Sequence, residues 1–145
     1  MRLPRLVFAL TVLPMLLVIT ACSDSPTSPT GAVAFTATDL RVGTGAEAAR
    51  GSVVSMHYTV WLYDATKADQ KGLQIETSIG DVPFDFALGA GMVIAGWDQG
   101  IVGMRVGGQR RLVVPASLAY GDTRRNAIPP NTPLVFDVEL VAIKS

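Results

Sequence analysis

The stretch Val93-Ile94-Ala95-Gly96-Trp97-Asp98-Gln99-Gly100, followed by Met104-Arg105-Val106-Gly107-Gly108, decides how the rest of this chain is read. Ile94, Trp97, Ile101 and Met104 recur at spacings of three, four and three, the period of one helix face. Gly103 and the pair Gly107-Gly108 are suited to ending that helix and turning the chain. Outward from it the period changes to two. Across residues 53–62, Val54, Met56, Tyr58, Val60 and Leu62 share one face, and Ser55, His57 and Thr59 share the other. Phe84, Phe86 and Leu88 alternate with Asp85 and Ala87. Leu134, Phe136, Val138, Leu140 and Ala142 line one side of a last strand, and Leu112 and Val114 supply another. An α+β domain, one helix against a twisted antiparallel sheet, is the simplest architecture consistent with that order.

Residues 1–21 read as targeting sequence rather than fold. Arg2 and Arg5 precede an apolar stretch from residue 6 to 19, broken by Thr11 and Pro14 and too short for a membrane span. It ends Ile19-Thr20-Ala21-Cys22, which resembles the bacterial lipobox, where the Cys is acylated and becomes the mature N-terminus. Cys22 is therefore the expected lipidation site. The following Ser23-Asp24-Ser25-Pro26-Thr27-Ser28-Pro29-Thr30-Gly31 has no apolar residue to bury, so residues 22–32 are expected to be a lipidated, disordered tether. That leaves residues 33–145 as a single domain. Cys22 is the sole cysteine, so the domain must fold by packing without a disulfide. The expected location is the bacterial cell envelope, lipid-anchored at the periplasmic face. Ser23 rather than Asp after the Cys favours the outer membrane.

Removing Arg2 and Arg5 from the 12 basic residues leaves 10 against 12 acidic ones, a formal charge of minus 2. The basic residues are scattered, and Arg110-Arg111 and Arg124-Arg125 are too short for a phosphate-tracking stripe, which excludes nucleic acid. His57 is the only histidine and has no acidic cluster or free Cys beside it, so neither a catalytic base nor a metal site is expected. Gly107-Gly108 is a turn rather than a phosphate loop, and no cofactor is implied. Asp137 and Glu139 alternate with the apolar face of the last strand and read as solvent-side charges or partners for an Arg. Taken alone, Trp97, Phe84 and Phe136 suit a hydrophobic core as readily as a pocket.

With Ala119-Tyr120-Gly121 and Ile128-Pro129-Pro130 added in order, the chain resembles the FKBP family of peptidyl-prolyl cis-trans isomerases over roughly residues 35–143, in the small single-domain form. The resemblance implies a bent antiparallel sheet wrapped around one short helix, with a pocket between them made of Tyr58, Ile75, Glu76, Phe84, Met92, Val93, Ile94, Trp97, Tyr120, Ile128 and Phe136. Trp97 would be the floor under a proline ring, with Phe84 and Phe136 as walls. The Ile94 backbone N–H and the Tyr120 hydroxyl would donate to substrate carbonyls. Tyr58, Glu76, Ile94, Trp97 and Tyr120 carry the implied catalysis, and Ile75, Phe84, Met92, Val93, Ile128 and Phe136 the implied substrate binding. Implied partners are proline-containing polypeptides and macrolides of the rapamycin type, and a monomer is expected.

Such chemistry needs no nucleophile. An X-Pro amide rotates over a barrier of roughly 18–20 kcal/mol, and a site that binds the twisted amide better than either planar form lowers it. This chain departs from the family where an aromatic and Asp usually precede two small hydroxyl residues: it has Ile75-Glu76-Thr77-Ser78. The missing flat wall and the longer carboxylate arm imply a reduced rate. The alternative function is a weakly active or inactive proline-peptide binder, a holdase.

Overall fold

The computed structural model describes residues 32–144. The expected targeting segment, Cys22 and all but the last residue of the expected tether lie outside those residues.

The alternation at residues 53–62 produces β2 (Val53–Tyr63), and that of the last run produces β6 (Leu134–Lys144). They pair antiparallel from Val53 opposite Lys144 to Leu62 opposite Leu134, with one register shift between Ser55 and Met56. β5 (Gln109–Val114) lies on the other side of β6, and β1 (Thr36–Arg41) on the outside of β5. The free edge of β2 carries two short strands in succession, β4 (Phe84–Ala87) and β3 (Lys71–Thr77). The order is thus β1-β5-β6-β2-β3, with β4 off this path on β2, and every pairing is antiparallel.

One face of this sheet and the helix α1 (Ala95–Gly100) enclose the core. Val54, Met56, Phe86, Leu88, Ile101, Leu112, Val114, Leu134, Val138 and Leu140 are all buried in it. The helix lies close on β5 because its contact residues have no side chain. A Cβ on Gly96 would stand 2.5 Å from Val114 Cγ1, and one on Gly100 would stand 2.6 Å from Leu112 Cδ2. The helix is shorter than the periodic run suggested: Ile94 is its N-cap and Ile101 its C-cap. Met104 still reaches the core, on the turn closed by its N–H donating to the Ile101 carbonyl at 3.0 Å, before the chain reverses through Gly107 at φ 87°. Among the described residues no helix is long and apolar enough to cross a membrane.

The face read as polar is partly roofed. Ser55 and Thr59 are buried, Ser55 donating to Asp85 and Thr59 sharing a 2.8 Å hydrogen bond with Thr77. Asp137 sits between two cations, 2.8 Å from Arg111 Nε and 2.6 Å from Lys71 Nζ. Burial alone would push its carboxyl up, but the hydrogen bonds from Arg111 and Lys71 outweigh that and hold it below the usual range. Glu139 pairs with Arg41 at 3.2 Å.

Candidate active site

The site begins at a seam on the edge of β2. β3 leaves that edge at Thr77 and β4 joins it at Phe84, so Tyr58 faces a gap between them. Ser78 ties the gap shut along the backbone: its N–H donates to the Tyr58 carbonyl at 2.9 Å, and its Oγ accepts from the Tyr58 N–H at 2.9 Å. His57 Nδ1 lies 3.2 Å from the same Oγ, outside the pocket, which makes it a backbone-supporting residue of this bend. The chain then re-enters at Phe84, which is 44% exposed, whereas Phe86 in the same strand is buried. An aromatic half open to solvent beside buried neighbours marks a cavity wall.

That cavity has a volume of about 500 Å³. Every pocket residue implied by the sequence lines it: Tyr58, Ile75, Glu76, Phe84, Met92, Val93, Ile94, Trp97, Tyr120, Ile128 and Phe136. Val60, Gly91, Arg125 and Asn126 line it as well and were not foreseen. Val60 follows from the alternation of β2; Arg125 and Asn126 lie on an exposed polar loop that has no periodicity to mark them.

Trp97 forms the base. It is only 5% exposed and is fenced by rings: Tyr58 edge-on at 5.2 Å, Phe136 edge-on at 5.5 Å, Phe86 tilted at 5.6 Å and Phe84 edge-on at 6.4 Å. Its indole N–H has no hydrogen-bond acceptor among the described residues. With aromatic rings on four sides the floor is held by shape rather than by a polar tether.

Polar groups share the lining with these rings. Tyr58 donates its hydroxyl to Glu76 Oε1 at 2.6 Å. Burial first, and then the Glu76 hydrogen bond and charge, push the Tyr58 hydroxyl up to about 12, so it remains a donor across the physiological range. Glu76 thus reaches its partner despite the extra methylene. Tyr120 follows a 3-10 turn at Ala116–Leu118 and is fixed by Gly121, whose N–H donates to the Ala116 carbonyl at 2.8 Å and whose carbonyl accepts from Asn131 at 2.7 Å. The Arg125 guanidinium lies 5.5 Å over the Tyr120 ring. Neither the Tyr120 hydroxyl nor the Ile94 N–H finds an acceptor among the described residues. The arrangement can therefore seat a compact apolar ring on Trp97 and offer two unspent donors to its flanking carbonyls.

The family model described as FKBP-type peptidyl-prolyl cis-trans isomerase matches residues 45–141. The chain belongs to that family. An FKBP of Neisseria meningitidis serogroup B, named FK506-binding protein, is 40% identical over 106 residues, covering 72% of this chain and 92% of that protein. FK506-binding protein 4 of Neurospora crassa is 46% identical over 123 residues; they cover 84% of this chain, but the chain spans only 25% of the fungal protein's length. The crystal structure of a peptidyl-prolyl cis-trans isomerase from Pseudomonas syringae has the same fold, with a TM-score of 0.62 at 33% identity, covering 77% of this chain and 76% of that one. The bent antiparallel sheet around one short helix is the FKBP architecture.

Proposed function

We propose that this FKBP domain accelerates cis-trans rotation of X-Pro bonds in folding polypeptides. The observation that carries the reading is a cavity floored by Trp97 whose lining includes Ile94 and Tyr120, with the Ile94 N–H and the Tyr120 hydroxyl making no hydrogen bond among the described residues. In the planar amide the carbonyl carries charge that water stabilises, and resonance supports a barrier of roughly 18–20 kcal/mol. Moving that carbonyl into an apolar cavity removes the water that favours the planar form. Each ~1.4 kcal/mol by which the twisted amide is bound better than the planar one gives about a tenfold rate.

The two donors suit different carbonyls. A backbone N–H cannot follow a moving acceptor, so Ile94 suits the carbonyl after the proline, which stays with the seated ring. A tyrosine hydroxyl turns about its C–O bond, so Tyr120 suits the preceding carbonyl as it swings. No covalent intermediate is needed.

Residues 1–21 are, on this reading, a lipoprotein signal and Cys22 the acylated N-terminus, placing a monomeric domain at the periplasmic face of the envelope, with the outer membrane favoured. The lipobox-like Ile19-Thr20-Ala21-Cys22 and the apolar stretch before it support this. Labelled palmitate incorporated into the protein but not into its Cys22→Ala variant tests it.

A protease-coupled isomerisation assay on residues 33–145 tests the activity, with acceleration at micromolar protein expected. A domain that binds a proline-containing peptide without accelerating it is the holdase instead.

A further inference from the structure

Asp98, in the first turn of α1, points its carboxylate back over the segment that leads into the helix. Oδ1 accepts from the Gly89 N–H at 2.8 Å, and Oδ2 from the Gly91 N–H at 3.1 Å. Gly89 and Gly91 stand at φ 80° and 71°, left-handed conformations that glycine adopts without strain. The backbone N–H of Asp98 in turn donates to the Ile94 carbonyl at 3.3 Å. One residue therefore grips both ends of the arc 89–91 with its side chain and the end of the segment 89–94 with its backbone.

The grip matters because of what that segment carries. Gly91, Met92, Val93 and Ile94 all line the cavity, and Met92 is 64% exposed with little packing to hold it. Ile94 caps the helix without a side-chain hydrogen bond, so its own side chain contributes nothing polar to the orientation of its N–H. A positive helix end would attract a carboxylate in any case, but a helix this short offers little dipole, and general attraction does not select two glycine amides. Charge-assisted hydrogen bonds to both of them do.

We propose that Asp98 is the positioning residue for the Ile94 donor, holding the segment 89–94 so that the Ile94 N–H meets the carbonyl that follows the substrate proline. The inference rests on the isomerase reading of the pocket and deepens it. Asp98→Asn keeps the size and one acceptor but turns an N–H₂ toward one of the two glycine N–H groups, which opens the arc.

The test compares wild type, Asp98→Asn and Asp98→Ala on two ligands, an acyl-prolyl amide and the matching acyl-pyrrolidine that lacks the carbonyl after the ring. Affinities are read by the quenching of tryptophan fluorescence, at equal folded fraction. The variants are expected to lose about tenfold in affinity for the amide, and the same factor in kcat/KM, less than the roughly hundredfold that a full 1 Å misplacement can cost. They are expected to lose less than twofold for the pyrrolidine. Faster hydrogen exchange at the Gly89 and Gly91 amides of the free variants is the accompanying expectation, and either variant alone suffices if the other fails to fold. Equal losses on both ligands, or none on either, overturn the assignment. A wild type that binds the amide tenfold tighter than the pyrrolidine yet shows no isomerisation overturns the isomerase reading while the Asp98 comparison still stands.

Discussion

Glu76→Asp restores the family's usual residue and, on the geometry found here, should slow the enzyme. Glu76 Oε1 lies 2.6 Å from the Tyr58 hydroxyl. Removing one methylene withdraws the carboxylate by about 1.3 Å along its arm, a carbon–carbon bond in projection. The separation then approaches ~4 Å, beyond any O–H···O hydrogen bond. β3 cannot follow, because Val60 is registered against Glu76 and Thr59 is hydrogen-bonded to Thr77 at 2.8 Å. A hydrogen bond to a charged group contributes about 1.5–3 kcal/mol. Glu76 is exposed, so solvent reduces this to roughly 1 kcal/mol, or about fivefold in rate if all of it is felt in the transition state. The assay is kcat/KM by protease-coupled isomerisation for Glu76→Asp and Glu76→Gln, the latter keeping both length and an acceptor and losing less. Adding Ile75→Phe supplies the flat wall without restoring the reach, so the double variant should recover only part of the loss, and the two effects should not add because the residues are adjacent. A Glu76→Asp enzyme as fast as wild type, or faster, refutes the argument that the longer arm is matched to Tyr58.

Trp97→Leu removes the floor, and the variant should lose most macrolide affinity together with about 3–5 kcal/mol of stability or less, read by titration and thermal melt; unchanged affinity in the folded variant would place the pocket elsewhere. Gly96→Ala should lower Tm, because the 2.5 Å approach to the stiff side chain of Val114 costs about 1–3 kcal/mol against a helix gain of about 1. A Tm that rises shows that the helix can stand off β5. Stability should also fall at both pH extremes. Tyr58 is raised from 10.0 to about 12, so its contribution is complete below pH 10 and lost as pH rises through 12. Asp137 is lowered from 3.8, so its contribution is present above that value and lost as pH falls through the lower folded value; Arg111→Leu should flatten the acid limb in pH-dependent melts.

The elements legible in the sequence were those whose apolar residues alternate with polar ones. β2 and β6 keep a period of two over most of their length, and Val54, Met56, Val60, Leu134, Phe136, Val138 and Leu140 of their apolar faces are buried, although Ser55, Thr59 and Val135 on the opposite faces are buried as well. β1 has no such face: all of Thr36–Arg41 is exposed, and the strand exists because β5 offers it a hydrogen-bonding edge, a long-range fact with no local trace. β3 is obscured by register shifts on either side of Trp61, which break the alternation. The helix was overread because Met104 stays buried on a turn, keeping the helical spacing after the helix has stopped. In the pocket, aromatic and apolar members were recoverable from the family resemblance, while Arg125, Asn126 and the Asp98 clamp were not. Loop polar groups acquire meaning only when the fold brings a partner to them.

β6 lies at the middle of the sheet although it is the final strand in chain order. A growing chain that has made β1 to β5 thus holds two unjoined pieces, β5 with β1 and β2 with β3 and β4, each with a raw edge where β6 belongs. Synthesis at roughly 5–20 residues per second exposes those edges for a second or more before the closing strand arrives. The sheet cannot close before β6 has been made, so this topology holds the domain open until its last strand emerges.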